Sequence, residues 1–251
     1  MKKIVTLLCF IIASACLNAD AATLVDRFHV CTVASRDGEN LQKLVHSCKQ
    51  HQIDLDVVGM NRPYWKNGTK LVRLKEYLQD LPDDDIVMFV DAFDVLIVGD
   101  KEVILDKFLQ MNSPFIMSAE KNCFPFEWLA PEFPESPTAF KYPNSGSFIG
   151  YVKVLKEWLE ALAPINKNAS DQGQISKQFI KGPKFFTFDY TCELFLPLFM
   201  VEDSEVVIDL ESGVVRCLPT NSTPYVIHAN GKSFSFYDTV YTQLVKEQAK
   251  A

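Results

Sequence analysis

Residues 83–98 read DDDIVMFVDAFDVLIV, and this stretch decides how the chain folds. Ile86–Val90 is an unbroken apolar run, as expected of a strand covered on both faces. Asp91 interrupts it, Asp94 follows three residues on, and the chain then turns apolar again. Carboxylates buried without partners are strongly disfavoured, so either a turn exposes the pair or a cation holds it. In an extended strand, residues three apart point to opposite faces. Both aspartates therefore reach one ion only if the chain bends after Val90. Such a bend lies at a strand's C-terminal end, where open α/β sheets bind ligands, and two carboxylates there suit a hard divalent cation. A turn aspartate followed by a helix cap accounts for the same residues without a metal.

Outward from this stretch, helical and extended patterns alternate. Residues 28–34 (FHVCTVA) predict a first strand, and Leu41, Leu44, Val45 and Cys48 recur at helical spacing. Residues 54–60 predict a second strand. Leu71, Leu74, Leu78 and Leu81 mark an amphipathic helix that starts near Asn67-Gly68-Thr69-Lys70. A helix over 104–109 and a strand over 115–118, ending at Glu120, continue the pattern. The expected fold class is α/β, a Rossmann-like domain with a mainly parallel central sheet. Residues 123–143, rich in Pro, Phe and Glu, predict a long ordered loop. Further strands are expected at 148–152, 185–188, 206–210 and 225–227, with helices at 154–162 and 237–251. No repeat or domain boundary is visible, so residues 22–251 are expected to form one domain.

The 251 residues are 48% hydrophobic and 23% charged, ordinary for a globular protein, with a net charge of −7. That balance argues against a nucleic-acid partner, which calls for a basic surface. Residues 1–21 read as a signal peptide: Lys2-Lys3, an apolar stretch over 4–17, then Ala19-Asp20-Ala21 as a small-x-small cleavage site. The apolar stretch is shorter than the roughly 20 residues that span a bilayer, so no membrane span is expected. Five cysteines lie beyond the signal, at Cys31, Cys48, Cys123, Cys192 and Cys217. Their irregular spacing defines neither a zinc site nor a disulfide framework, although an exported chain allows one or two bridges. Sequons at Asn67, Asn168 and Asn221 would accept glycans in a eukaryotic secretory pathway.

Four other segments carry chemistry-bearing residues. PYVIHANGKS places His228 at the end of a short apolar strand, a position from which neutral imidazole can ligate Mn²⁺ or simply hydrogen-bond. Asn230, Gly231 and Lys232 follow it, offering amides and a cation to phosphate. YPNSGSFIGY sets Asn144, Ser145 and Gly146 in what reads as a tight polar turn, able to bind a sugar or merely to turn the chain. Asp171 stands at a helix start, as a catalytic carboxylate or an N-cap. Trp65, Lys66, Lys70 and Arg73 gather near another helix start, as a phosphate-attracting site or a solvated basic face. Trp65 and Phe93 are candidates to stack on a nucleobase, though aromatics more often fill a core.

None of these segments is specific alone, but their order is. Thr32-Val33-Ala34, KLVRLKEYL, FVDAFDVL, SAEKNCFP, YPNSGSFIGY, SDQ and VIHANGK resemble, in sequence, the N-terminal glycosyltransferase domain of the multifunctional procollagen lysyl hydroxylases, over about residues 28–236. The resemblance implies a GT-A fold and a Mn²⁺-dependent hexosyltransferase, with Asp91, Asp94 and His228 as metal ligands. UDP-galactose or UDP-glucose would be the donor, and hydroxylysine or galactosyl-hydroxylysine of collagen-like protein the acceptor. It also implies substrate contacts for Thr32, Lys70, Phe93, Asn144, Ser145, Gly146, Asn230, Gly231 and, approximately, Lys232. Asp171, Glu120 and Asp189 would be the carboxylates near the reacting sugar.

The chain departs from the family pattern in three places. The acidic run before the glutamine is reduced to Asn168-Ala169-Ser170-Asp171, the glycine-rich loop before Lys70 is shortened, and two residues are missing before Lys232. No His-x-Asp iron motif appears, so hydroxylation is not expected. A catalytically silent sugar- or nucleotide-binding module is the competing reading, and a structural secreted protein a third. The signal peptide places the chain in a secretory lumen (ER or Golgi), outside the cell, or, in a bacterium, among exported proteins.

Overall fold

The computed structural model describes residues 24–246. The expected signal peptide and the last residues of the expected C-terminal helix lie outside the described residues. In chain order the strands are β1 (Phe28–Val33), β2 (Leu55–Val58), β3 (Ile86–Val90), β4 (Val95–Ile97), β5 (Phe115–Glu120), β6 (Tyr142–Tyr151), β7 (Thr187–Asp189), β8 (Phe195–Pro197), β9 (Val206–Asp209), β10 (Val214–Cys217) and β11 (Val226–His228). The helices are α1 (Glu39–Gln50), α2 (Gly68–Leu78), α3 (Lys101–Gln110), α4 (Val152–Ala161), α5 (Asp171–Lys181) and α6 (Phe234–Val240).

Six strands make the central sheet in the order β2-β1-β3-β6-β5-β7. β1 runs parallel to β2 and β3, and β5 parallel to β7, while β6 is antiparallel to β3 and β5. The fold is therefore α/β with a mixed, mainly parallel sheet. The unbroken apolar run of β3 follows from its place near the middle. Ile86, Met88 and Val90 pack into the core on one face, and Val87 and Phe89 into the core on the other. Burial of such side chains contributes about 2 kcal/mol each. The second face is filled by an aromatic cluster in which Phe115 meets Trp158 edge-on at 5.1 Å and Phe89 stacks on Phe148 at 5.0 Å.

After Val90 the chain leaves this sheet. Residues 91–94 bend, and β4 joins a second, three-stranded sheet in the order β4-β11-β8. That change of sheet is the reason for the polar interruption in an otherwise apolar stretch. β11 pairs antiparallel with β4, setting His228 opposite Val95, and parallel with β8.

One expectation is overturned here. Asn144, Ser145, Gly146 and Ser147 do not form a turn; they lie inside the ten-residue strand β6. β6 stays paired with β3 as far as Ser147 opposite Val90, and the Asp91 amide donates to the Gly146 carbonyl at 2.8 Å. On its other edge the pairing with β5 slips between Met117 and Ala119. The polar residues occupy that irregular stretch. The expected long loop contains a 3₁₀ turn at Glu127–Glu132. Among the described residues no helix is long and apolar enough to cross a membrane.

Candidate active site

The two sheets meet at a cavity of about 360 Å³, lined by Lys70, Asp91, Asp94, Glu120, Asn144 and His228 among others. It sits at the C-terminal ends of β3, β5 and β11. Asp91 comes from the bend after β3 and Asp94 from the residue before β4. His228 is brought beside Asp94 by the β4–β11 register, which the Ala229 amide reinforces by donating to the Asp94 carbonyl at 2.7 Å. One ligand atom from each of Asp91, Asp94 and His228 lies within 4.8 Å of the others. His228 Nε2 is 3.3 Å from Asp94 Oδ2 and 4.0 Å from Asp91 Oδ2.

The imidazole is aimed by its other nitrogen. Asn144 Oδ1 accepts the Gly146 amide hydrogen at 3.0 Å, which identifies it as the carbonyl end of the side chain. The same oxygen lies 3.0 Å from His228 Nδ1, so Nδ1 carries a hydrogen and donates it. In its neutral form His228 would present the Nε2 lone pair on the side of the two carboxylates, the orientation a metal ligand needs. Gly146 makes room for this. A Cβ there would sit 2.1 Å from His228 Cε1 and 2.9 Å from Asp91 Oδ2. Two carboxylates and one imidazole form a mixed oxygen and nitrogen set, compatible with Mn²⁺.

Lys70 stands beside this group. Its Nζ lies 2.6 Å from Asp91 Oδ1 and 2.7 Å from Asp171 Oδ2, with the lysine and Asp171 almost fully buried. Burial opposes the lysine's charge, but Asp171 and Asp91 outweigh it and raise its pKa. For Asp171, burial favours the neutral acid, yet Lys70 prevails and lowers the pKa. The Asp91 carboxyl is pushed up by burial despite Lys70. Burial also works against ionised Asp94, but His228 more than compensates and lowers it. His228 is raised in turn: burial disfavours the imidazolium and Asp94 stabilises it.

Across the cavity, burial pushes Glu120 up to about 7. Asn230 Nδ2 donates to Glu120 Oε2 at 2.6 Å, and Gln172 Nε2 donates to Glu120 Oε1. Gln172 Oε1 also receives the Ser145 amide at 3.2 Å, linking α5 to β6. The arrangement thus combines three side chains able to hold a metal ion, an ammonium group gripped by two carboxylates and a carboxyl pushed up to about 7 by burial.

A family model described as the PLOD GT domain matches residues 25–244. The chain belongs to the PLOD GT domain family. The procollagen-lysine,2-oxoglutarate 5-dioxygenase of Drosophila melanogaster is 30% identical over 226 residues, covering 83% of this chain and 31% of that protein. Procollagen-lysine,2-oxoglutarate 5-dioxygenase 2 of Homo sapiens is 29% identical, with 86% and 32% covered. The multifunctional procollagen lysine hydroxylase and glycosyltransferase of Caenorhabditis elegans is 28% identical, with 87% and 32% covered. The chain thus spans about a third of the length of these relatives. Among solved structures, a glycosyltransferase involved in glycosylation of the major capsid of PBCV-1 superposes with a TM-score of 0.51 at 12% identity, covering 86% of this chain and 98% of that one. That likeness extends to the fold.

In this PLOD GT domain the cavity gathers Asp91, Asp94, His228, Lys70, Asn144, Ser145, Gly146, Asp171, Glu120, Asn230 and Gly231 from the residues singled out in the sequence. Asp171 is not the helix cap. Ser170 is, its Oγ accepting the Gly173 amide at 3.1 Å, which leaves Asp171 to face Lys70. The basic cluster is not an open anion site either: Lys70 is held by carboxylates, and Arg73 is mostly buried and pairs with Glu76 at 2.8 Å. Trp65 is exposed, with the Lys167 ammonium 3.7 Å above its ring. Phe93 packs beside Ala34, Leu41 and Ala92. Thr32 is closed to solvent, and neither it nor Trp65 nor Phe93 lines the cavity. The side chain of Lys232 lies outside the described residues.

Asp189 is a correction. It is fully buried away from the cavity, and its carboxylate accepts the backbone amides of Glu193, Leu194 and Phe195 at 2.8, 2.8 and 3.0 Å. It organises the turn between β7 and β8 and is not a residue of the cavity. Asp189→Ala orphans those donors and is expected to cost about 3 kcal/mol of stability, read by urea denaturation. A variant of wild-type stability would contradict that structural role.

Sequence reasoning missed Gln172, Asn67, Asn122, Phe124 and Phe199, which also line the cavity. Gly231 carried a signal for Phe199. It has φ +62°, and a Cβ there would lie 2.3 Å from the Phe199 ring.

Proposed function

We propose that this chain is a Mn²⁺-dependent hexosyltransferase that moves galactose or glucose from a UDP-sugar to hydroxylysine or galactosyl-hydroxylysine of collagen-like protein. The observation that carries the reading is the convergence of Asp91, Asp94 and His228 at the floor of a cavity in a PLOD GT domain. These three residues would hold the metal. Bound Mn²⁺ supplies Lewis-acid neutralisation of the charge that grows on a departing diphosphate.

The chain's own groups have separable tasks. Lys70, gripped by two carboxylates, is a fixed positive charge beside the metal ligands and favours the same developing anion. Asp171 is ionised and committed to Lys70, which suits it to orientation and not to proton transfer. Glu120, pushed up to about 7 by burial, would accept a proton from an acceptor hydroxyl. Asn144, Ser145, Gly146, Asn230 and Gly231 offer amides and a hydroxyl to the sugar and phosphates, with Lys232 a further cation on that side. Trp65 and Phe93 are assigned to the nucleoside end. The compartment that suits such an enzyme is a secretory lumen or, for a bacterial chain, the exterior of the cell.

The test is direct. Purified protein with Mn²⁺ and UDP-galactose or UDP-glucose is assayed for UDP release, with and without a hydroxylysine-containing collagen-like peptide. Release stimulated by the peptide is the expected outcome. UDP and Mn²⁺ binding without turnover on either donor would replace this reading with a silent binding module.

A further inference from the structure

Phe124 and Phe199 bring two aromatic side chains to the wall of the cavity. They come from distant parts of the chain, the loop after β5 and the segment after β8, yet both are suspended from one carboxylate. Gln172 Nε2 donates to Glu120 Oε1 and also to the Phe124 carbonyl, the latter at 3.1 Å. Asn230 Nδ2 donates to Glu120 Oε2 at 2.6 Å, while its Oδ1 accepts the Phe199 amide at 2.9 Å. The surroundings of the two residues are equally defined. Gly231 has no side chain to hold the Phe199 ring off: a Cβ there would come within 2.3, 2.6 and 3.0 Å of three ring atoms. Beside Phe124, the Phe126 ring packs against α5, where a Cβ on Gly173 would meet it at 2.8 Å, and the Lys177 ammonium lies 4.2 Å from its centre. Phe124 itself is 55% exposed, an apolar surface open to what enters the cavity.

Aromatic rings set among amides suit a sugar. The C–H face of a pyranose covers the electron-rich face of a ring, and its hydroxyls take amide donors and acceptors. Asn67 and Asn122 line the same cavity. An ammonium group, the other ligand such rings attract, would also need a carboxylate to pair with. The four carboxylates that line the cavity are engaged: Asp171 and Asp91 by Lys70, Glu120 by two amides, and Asp91 with Asp94 by the proposed metal. Given the hexosyltransferase reading, we propose that Phe124 and Phe199 form the acceptor subsite and bind the face of a hexose that the acceptor already carries. This subsite selects galactosyl-hydroxylysine over bare hydroxylysine.

Equilibrium dialysis of the purified protein, loaded with UDP and Mn²⁺, against galactosyl-hydroxylysine and against hydroxylysine is the test. Wild-type protein is expected to bind galactosyl-hydroxylysine about tenfold more tightly. Phe124→Ala and Phe199→Ala should each lose most of that preference, Phe199→Tyr should keep it, and UDP affinity should be the same in all three. Equal wild-type affinity for the two compounds, or binding of neither, overturns the proposal. So does a loss of UDP affinity in either alanine variant, which would assign that ring to the nucleoside. The wild-type comparison decides the matter even if a variant fails to fold. A preference in binding without UDP release from either donor would support the subsite and overturn the transferase reading instead.

Discussion

Asp94→Ala is expected to reduce UDP release by about 10³-fold or more, equivalent to about 4 kcal/mol of lost transition-state stabilisation. Asp94 stands 3.3 Å from His228 Nε2 and is held there by the hydrogen bond between its own carbonyl and the Ala229 amide. Alanine keeps that backbone bond, so the bend after β3 survives while one of the three proposed metal ligands is lost. Mn²⁺ affinity, followed by electron paramagnetic resonance of the free ion, should fall by at least about 10²-fold, since even the outer partners of metal ligands are worth 10–100-fold. The circular dichroism spectrum should not change. Unaltered Mn²⁺ affinity would remove Asp94 from the metal site, and unaltered turnover would remove the metal site from the reaction.

Lys70→Met is expected to have the largest effect on stability. The ammonium group neutralises Asp91 and Asp171 in a nearly closed space, and methionine fills a similar volume without charge. Removing one partner from a buried ion pair typically costs about 3–5 kcal/mol, because the remaining charge is stranded. For a chain of this length that lowers Tm by roughly 10 °C. Saturating Mn²⁺ should restore part of the loss, because a ligand that binds only the folded state stabilises it and would give Asp91 a new counter-charge. Lys70→Arg retains the charge and should lose less. A methionine variant within about 1 kcal/mol of wild type in urea denaturation would show that the carboxylates do not depend on this lysine.

Much of this protein was legible in one dimension because the signals are local. An apolar run such as Ile86–Val90 declares a central strand, and the helical spacing of Leu71, Leu74 and Leu78 declares the buried face of α2. The polar break at Asp91 and Asp94 could be recognised as a bend without knowing where the chain went next. Local signals failed where a residue's partner is distant in sequence. Asn144-Ser145-Gly146 has the composition of a turn, yet its small polar residues serve a strand that must let His228 and Asp91 approach. Asp189 has the look of a catalytic acid, but the amides that occupy it belong to a turn whose shape no spacing rule discloses. Asp171 was separable from its cap role only once Ser170 was seen to hold the Gly173 amide.

By itself the sequence determined the α/β class and most of the strands and helices that build it, while Asp91, Asp94 and His228 became metal-ligand candidates as a set only through the family resemblance. Periodicity, capping chemistry and charge are properties of neighbouring residues, and short-range physics is enough to read them. Only the tertiary structure decided that Asp94 and His228, 134 positions apart in numbering, lie 3.3 Å apart, and that Lys70 belongs to Asp91 and Asp171. Those contacts depend on the β4–β11 register within the second sheet, on where α2 sets Lys70 beside the bend after β3, and on the space a missing Cβ leaves at Gly146, and none of these is encoded by any contiguous stretch of the chain.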